Sequence, residues 1–303
     1  IRGTEIGSYL EATPIKNFDD SDRYLWQYFG HCQERLEGLR LMPAAMRGIL
    51  NSYRVKYDII NVKSVLQGIR SGKPARLIPV GVVHNRGLLD EISRADGADT
   101  IAHLLLECGL GAYAAILREY DSGSEAKLRL QTEARMDGEY YKDLLETSKD
   151  IEDGFILART IGLMVDLTNL KIASRAAIEN TGVATSDCII EGGYLLSHQA
   201  LEGMMSGKLN DIPTSLGGTQ YRNMAEEMVA SYNKSGSITA TEEVIDRYRM
   251  EMLKEILSPR VMSPLVIIWY LTVKEMELKN LRMVLKAVFD GIVVDEIKEY
   301  LVF

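Results

Sequence analysis

The chain has 303 residues, enough to bury a sizeable core and to divide into two or three units. Acids outnumber bases 43 to 35, and the net charge of −8 argues against nucleic acid as the main partner, which calls for a basic face. Three widely spaced cysteines, Cys32, Cys108 and Cys188, read as buried free thiols of a reducing compartment.

No Met precedes Ile1, so the native start is expected upstream, and no charged-then-apolar leader stands at this end of the chain. The stretch from Phe18 to Tyr57 reads as helices, with Asp19, Asp20 and Ser21 as cap candidates and Pro43 opening a second helix through Ile49 and Tyr53. Ser71-Gly72-Lys73-Pro74 is a turn, and Pro79 to Ser93 leads into the next helix. A second unit starts near Ala95, with Asp99-Thr100 as the predicted cap before Ile101, Leu104, Leu105 and Cys108. Asp121-Ser122-Gly123-Ser124 reads as a loop. Helical periodicity covers Leu128 to Thr147 and Ile151 to Ile178, broken near Ser148. Asn180-Thr181-Gly182 is a stop signal, and Gly192-Gly193 precedes a helix from Leu195 to Met205.

A third unit starts near Gly207. Ser235-Gly236-Ser237 is a loop, and Thr239 and Thr241 mark a helix start. The apolar run from Val261 to Val273 is expected to be a buried core helix, since crossing a bilayer needs about 20 residues. Gly291 ends the last long helix, and Val294 to Phe303 reads as a short closing helix. Few stretches alternate with period two, so the fold is expected to be all-α.

One hexapeptide pattern recurs: acid, two residues, Asn, aliphatic, base. It stands at Asp58-Ile59-Ile60-Asn61-Val62-Lys63, Asp166-Leu167-Thr168-Asn169-Leu170-Lys171 and Glu277-Leu278-Lys279-Asn280-Leu281-Arg282. The asparagines are 108 and 111 residues apart by their numbers, which points to a triplicated chain of units 1–94, 95–206 and 207–303. Each copy opens a helical stripe: Val62, Val65, Leu66 and Ile69; Leu170, Ala173, Ser174 and Ala177; Leu281, Val284, Leu285 and Val288. A second marker precedes each copy, at Leu10-Glu11-Ala12-Thr13, Leu106-Glu107-Cys108-Gly109 and Leu216-Gly217-Gly218-Thr219. Asp22-Arg23-Tyr24 echoes in Asp246-Arg247-Tyr248. Asn is a mediocre helix former, so its threefold use invites a reason. The structural one is an amide tying down a neighbouring loop or helix end. A pocket shared by the three amides and a contact with another protein are the alternatives.

Chemical motifs fail on inspection. Gly203-Met204-Met205-Ser206-Gly207-Lys208-Leu209 has three residues between the glycines where a phosphate loop needs four, and Leu209 replaces the metal-binding hydroxyl. Gly109-Leu110-Gly111-Ala112-Tyr113-Ala114 fits G-x-G-x-x-A but follows a helical run instead of a strand. The histidines, His31, His84, His103 and His198, include no pair at zinc-ligand spacing. No catalytic, cofactor-binding or metal-ligating residue is assigned.

With the three copies in view, the chain resembles the C subunits of the archaeal and bacterial V/A-type rotary ATPases (ATP synthases), counterparts of the eukaryotic d subunit. The residues that carry this are Tyr57 to Leu66 and Glu275-Met276-Glu277-Leu278-Lys279-Asn280-Leu281-Arg282. The second copy departs most, with Ala173-Ser174 in place of larger aliphatics. The resemblance implies three similar helical domains around a pseudo-threefold axis, shaped as a funnel or socket. It implies a non-catalytic place in the central stalk, cytoplasmic and peripheral to the membrane, with the rotor axle of the soluble head and the membrane c/K-type ring as partners. No cofactor, nucleic acid or membrane span belongs to that picture. A stand-alone helical adaptor binding a partner helix is the alternative; an enzyme with a site between the units lacks a convergent acid, base and nucleophile.

Overall fold

The computed structural model describes residues 5–11, 15–120, 126–179, 188–293, 297–298 and 301. Every regular element among them is helical: α1 (Glu5–Glu11), α2 (Phe18–Glu37), α3 (Ala44–Ser71), α4 (Val82–Asn85), α5 (Leu89–Ser93), α6 (Ala98–Glu107), α7 (Gly111–Arg118), α8 (Ala126–Ser148), α9 (Gly154–Glu179), α10 (His198–Ser206), α11 (Ile212–Ser215), α12 (Arg222–Ser235), α13 (Ile238–Leu257) and α14 (Val266–Asp290). The three motif copies fall on three of the longest helices, α3, α9 and α14.

Packing groups the chain into two compact bodies. The terminal body joins the chain up to Asp96 with the chain from Pro264 on, so α14 packs against α2 and α3. Its core holds Leu25, Phe29, Ile49, Leu50 and Tyr57, with the Trp26, Phe29 and Tyr57 rings meeting edge to face. The central body runs from Gly97 to Ser263 around α9. That helix is apolar on nearly every side, with Ile156, Leu157, Ile161, Leu163, Val165, Leu167, Leu170 and Ile172 all buried. A helix apolar all round must be surrounded, and α8, α10 and α13 pack against it.

Local signals set most boundaries. Pro43 is the residue before α3, and Gly72, Gly236 and Gly291 close α3, α12 and α14 in the left-handed conformation that glycine adopts without steric cost. The break near Ser148 is present, and all three cysteines are buried and free. Four expectations need correction. The cap of α2 is Asn17, not Asp19 to Ser21: its side chain accepts the Asp20 N–H at 2.8 Å, while Asp20 accepts the Lys16 N–H at 3.2 Å. Helix α6 starts at Ala98, one residue before Asp99, with Gly97 extended ahead of it. The stretch from Pro79 to Ser93 holds two short helices, α4 and α5. The apolar run from Val261 is only partly core: Val261 and Met262 are exposed in a turn, and burial begins at Ser263. The Asp121–Ser124 loop, the Asn180-Thr181-Gly182 stop and most of the Val294–Phe303 helix lie outside the described residues.

A carboxylate fastens α14 to α3. Glu275, buried, accepts the Tyr53 hydroxyl at 2.8 Å, the Tyr57 hydroxyl at 3.4 Å and the Lys56 ammonium at 2.7 Å. That ammonium also lies 5.4 Å from the Tyr53 ring centre and 5.6 Å from that of Tyr57. Removing one member of such a pair leaves the other buried and uncompensated, at a cost of about 3 kcal/mol. Lys56→Met is therefore expected to destabilise the chain by about 2–3 kcal/mol in urea unfolding. Adding Glu275→Gln to it should recover part of that loss, because no unpaired charge remains; a double variant worse than the sum of the two singles would count against this reading.

Candidate functional site

A three-residue step along a helix puts an acid and an Asn on one face. On α3 these are Asp58 and Asn61, and both reach a non-helical strap formed by residues 73–81. The Asn61 amide donates to the Ile78 carbonyl at 2.9 Å and accepts the Ile78 N–H at 2.7 Å. Four residues on, the Asp58 carboxylate accepts the N–H groups of Val82 and Val83, at 2.8 and 3.0 Å, and so caps α4. On α9 the arrangement repeats. Asn169 donates to the Ile190 carbonyl and accepts its N–H, both at 2.8 Å. Asp166 accepts the N–H groups of Tyr194, Leu195 and Leu196 at 3.2, 2.8 and 3.3 Å, and the Tyr221 hydroxyl at 3.0 Å.

Both straps put a glycine three residues after the paired isoleucine. A Cβ on Gly81 or on Gly193 would collide with the carboxylate of Asp58 or Asp166. Ile78-Pro79-Val80-Gly81 and Ile190-Glu191-Gly192-Gly193 are therefore the receptors of the D-x-x-N clamps. The isoleucines follow their asparagines by 17 and 21 residues, so unequal spacing hides the receptor in the sequence. Of the readings of the Asn, the tie to a neighbouring loop is the one seen at Asn61 and Asn169.

The third copy differs. Glu277 is exposed and pairs with Lys274 at 2.8 Å, Asn280 is half-buried, and no Ile-x-x-Gly follows it in the sequence. Its stripe is shallower too, with Leu281, Val284 and Leu285 half-buried and Val288 exposed. In the second and third copies the motif base pairs with an Asp of a neighbouring helix. Lys171 pairs with Asp246 at 2.6 Å, and Arg282 pairs with Asp22 while its guanidinium lies 5.5 Å from the Trp26 ring centre. Asp22 and Asp246 are the acids of the two Asp-Arg-Tyr echoes, whose purpose sequence reading missed.

These carboxylates are not poised for chemistry, since their lone pairs already hold backbone N–H groups. Burial pushes the Asp58 carboxyl up from 3.8 to about 7, against the pull of the Val82 and Val83 N–H groups. Burial also raises Asp166, opposed by the Leu195 N–H and the Tyr221 hydroxyl. The Tyr221 phenol is itself raised, by burial and then by Asp166, and so stays a donor.

The rejected motifs take ordinary places. Gly207 ends α10, and Leu209 is buried apolar packing. Gly109-Leu110-Gly111 is the junction between α6 and α7, where Gly109 has φ of 80°. His103 lies 3.4 Å from Glu107, His198 lies 3.2 Å from Glu191 and 3.4 Å from Glu202, and His31 meets the edge of Tyr9. Among the described residues no group of three His, Cys, Asp or Glu side chains could hold a metal, and no helix is long and apolar enough to cross a membrane.

Two outcomes follow from the clamps. Asn169→Leu strips the Ile190 N–H and carbonyl of their buried partners and should destabilise the fold by about 3 kcal/mol; an unchanged melting curve would show that the strap is held by other means. Asp58 binds its proton more tightly folded than unfolded. Its contribution to stability is therefore complete below about pH 4 and is lost as pH rises to about 7, by at most about 4 kcal/mol. The stability of Asp58→Asn relative to the parent should accordingly improve across that window in urea titrations at pH 4 and pH 7. A gap independent of pH would mean that the two N–H groups hold Asp58 at its ordinary value.

The family model described as ATP synthase (C/AC39) subunit matches residues 31–300. The C subunit of the A-type ATP synthase of Methanosphaera stadtmanae is 30% identical over 258 residues, covering 82% of this chain and 66% of the relative. The proteins of the same name from Methanocaldococcus jannaschii and Pyrococcus abyssi are each 24% identical, covering 100% and 99% of this chain and 77% and 80% of their own lengths. The chain thus spans about two thirds of the length of the Methanosphaera relative. With a match that takes in the clamps on α3 and α9 and the whole of α14, the chain belongs to the ATP synthase (C/AC39) subunit family.

Proposed function

We propose that this chain is a non-catalytic central-stalk subunit of a rotary ATPase, passing torque between the axle of the soluble head and the ion-carrying ring in the membrane. The match to the family model over residues 31–300 carries this reading. Two further observations support it. Neither glycine-rich stretch has the spacing, hydroxyl or strand context of a nucleotide site. The clamps and the Glu275 cluster fasten loops and helices to one another, as a part that transmits force requires. We also read the sequence as three repeat units, 1–94, 95–206 and 207–303, each built on one copy of the motif.

Removing the chain from the complex should leave the head hydrolysing ATP but unable to drive ions, because the mechanical path is cut. The measurement pairs ATP hydrolysis with ion uptake in vesicles carrying the complex with and without it. Ion uptake at full yield per ATP in its absence would overturn the coupling role and favour a stand-alone adaptor.

A further inference from the structure

The α9–α13 pair of the central body presents an apolar end. Lys171 pairs with Asp246 and Arg175 with Glu242, each at 2.6 Å, so the two helices run antiparallel. The start of α9 and the end of α13 therefore lie at the same end of the pair. At 1.5 Å per residue, α13 stops about 9 Å short of the start of α9, so the turns that precede α9 and follow α13 belong to the same end of the pair. Large apolar side chains stand in solvent at both: Phe155, just inside α9 after the turn that precedes it, is 76% exposed, and in the turn after α13 Val261 is 63% and Met262 95% exposed. Such residues are ordinary one at a time, but grouped at one end they mark an interaction surface.

Neither turn is loose. Pro259 and Pro264 bracket the second, in which the Ser263 N–H donates to the Arg260 carbonyl at 3.1 Å. In the first, Asp153 has φ of 59°, the one positive φ at a non-glycine residue among those described. Gly154 lies so close to the Ser148 carbonyl that no Cβ would fit. A non-glycine residue held in that conformation is a local cost that functional turns tend to carry. Prefixed side chains lose little entropy on docking.

Charge selects the partner. The first turn places Asp150, Glu152 and Asp153 beside Phe155, with Lys149 engaged by Glu146 at 2.6 Å. The second adds one charge, Arg260. An acidic surface with apolar tips repels an anionic lipid surface and fits a basic, partly apolar polypeptide. Short cytoplasmic loops of membrane proteins carry an excess of Lys and Arg. Resting on the stalk role proposed above, we infer that this end of the α9–α13 pair seats on the loops of the membrane ring, with Phe155 and Met262 as anchors and the acids of the first turn facing the bases of the loops.

The test is binding of the full chain to the purified ring in neutral-lipid nanodiscs, beside ring-free nanodiscs of anionic lipid and the isolated axle. Phe155→Ser with Met262→Ser should weaken ring binding at least tenfold while melting temperature and axle binding stay unchanged. Asp150→Lys with Glu152→Lys should weaken ring binding and flatten its dependence on salt. If the parent binds the ring and both variants match it, the assigned surface is wrong and the stalk role stands. If the variants lose the axle instead, the surface faces the other partner and the inference fails. Tighter binding to ring-free anionic nanodiscs overturns it as well. A parent chain that binds neither ring nor axle overturns the stalk role together with the inference.

Discussion

An Asn side chain that pairs with both polar groups of one isoleucine backbone holds this structure's straps in place. At Asn61 and Asn169 the amide behaves as a one-residue rung of sheet set on a helix, donating to a carbonyl and accepting the adjacent N–H. A strap without secondary structure of its own would otherwise bury unpaired N–H and C=O groups, at a cost of about 1–3 kcal/mol each. The acid one turn earlier completes the hold, gathering the N–H groups where the strap turns into the next segment. Glycine follows because the carboxylate and the strap backbone touch. Asn, acid and glycine are thus one device, with the Asn near the middle of a long helix despite its modest helix propensity.

Charge pairs play the corresponding part between helices. The motif base lies one turn or less beyond the Asn and reaches the Asp of an Asp-Arg-Tyr run on an antiparallel neighbour: Lys171 to Asp246 within the central body, Arg282 to Asp22 within the terminal body. Surface pairs of this kind contribute little singly. The Arg282 pair has more behind it, because its guanidinium also lies over Trp26. With Glu275 held by Tyr53, Lys56 and Tyr57, it fixes the last long helix to helices near the start of the chain. Such closure between distant parts of the sequence suits a protein whose proposed task is to transmit force without yielding.

The all-helical class was legible because the stripes after the motif asparagines and the run from Leu128 to Thr147 recur at helical spacing and Gly72, Gly236 and Gly291 stop helices in the conformation that only glycine adopts freely. The motif Asn was legible as a structural tie, since an amide placed repeatedly at a helical position needs a partner. Its receptor was not, because Ile78 and Ile190 stand at unequal distances from their asparagines and an isoleucine backbone leaves no side-chain signal. The shared Gly at the third position after each would have found it. The Asp-Arg-Tyr echo was visible as a repeat, but pairing it with the motif base needed the antiparallel register of the helices. The cap of α2 was misplaced for a simpler reason: Asn17 competes with two following aspartates, and only geometry tells which side chain turns back on the Asp20 N–H. At Val261 and Met262 hydropathy alone pointed inward, whereas the prolines on either side hold the turn out in solvent.

Amide hydrogen exchange in the native state reads the clamps most directly. Ile78 and Ile190 lie outside the helices, so position alone would have their N–H groups exchange at loop rates. Paired with Asn61 and Asn169, they should exchange as slowly as the core amides of α3 and α9, through opening of the whole body, and each should speed up when its own Asn is replaced by Leu. Loop-like exchange at Ile78 and Ile190 in the parent chain would contradict the claim that the motif asparagines hold the straps.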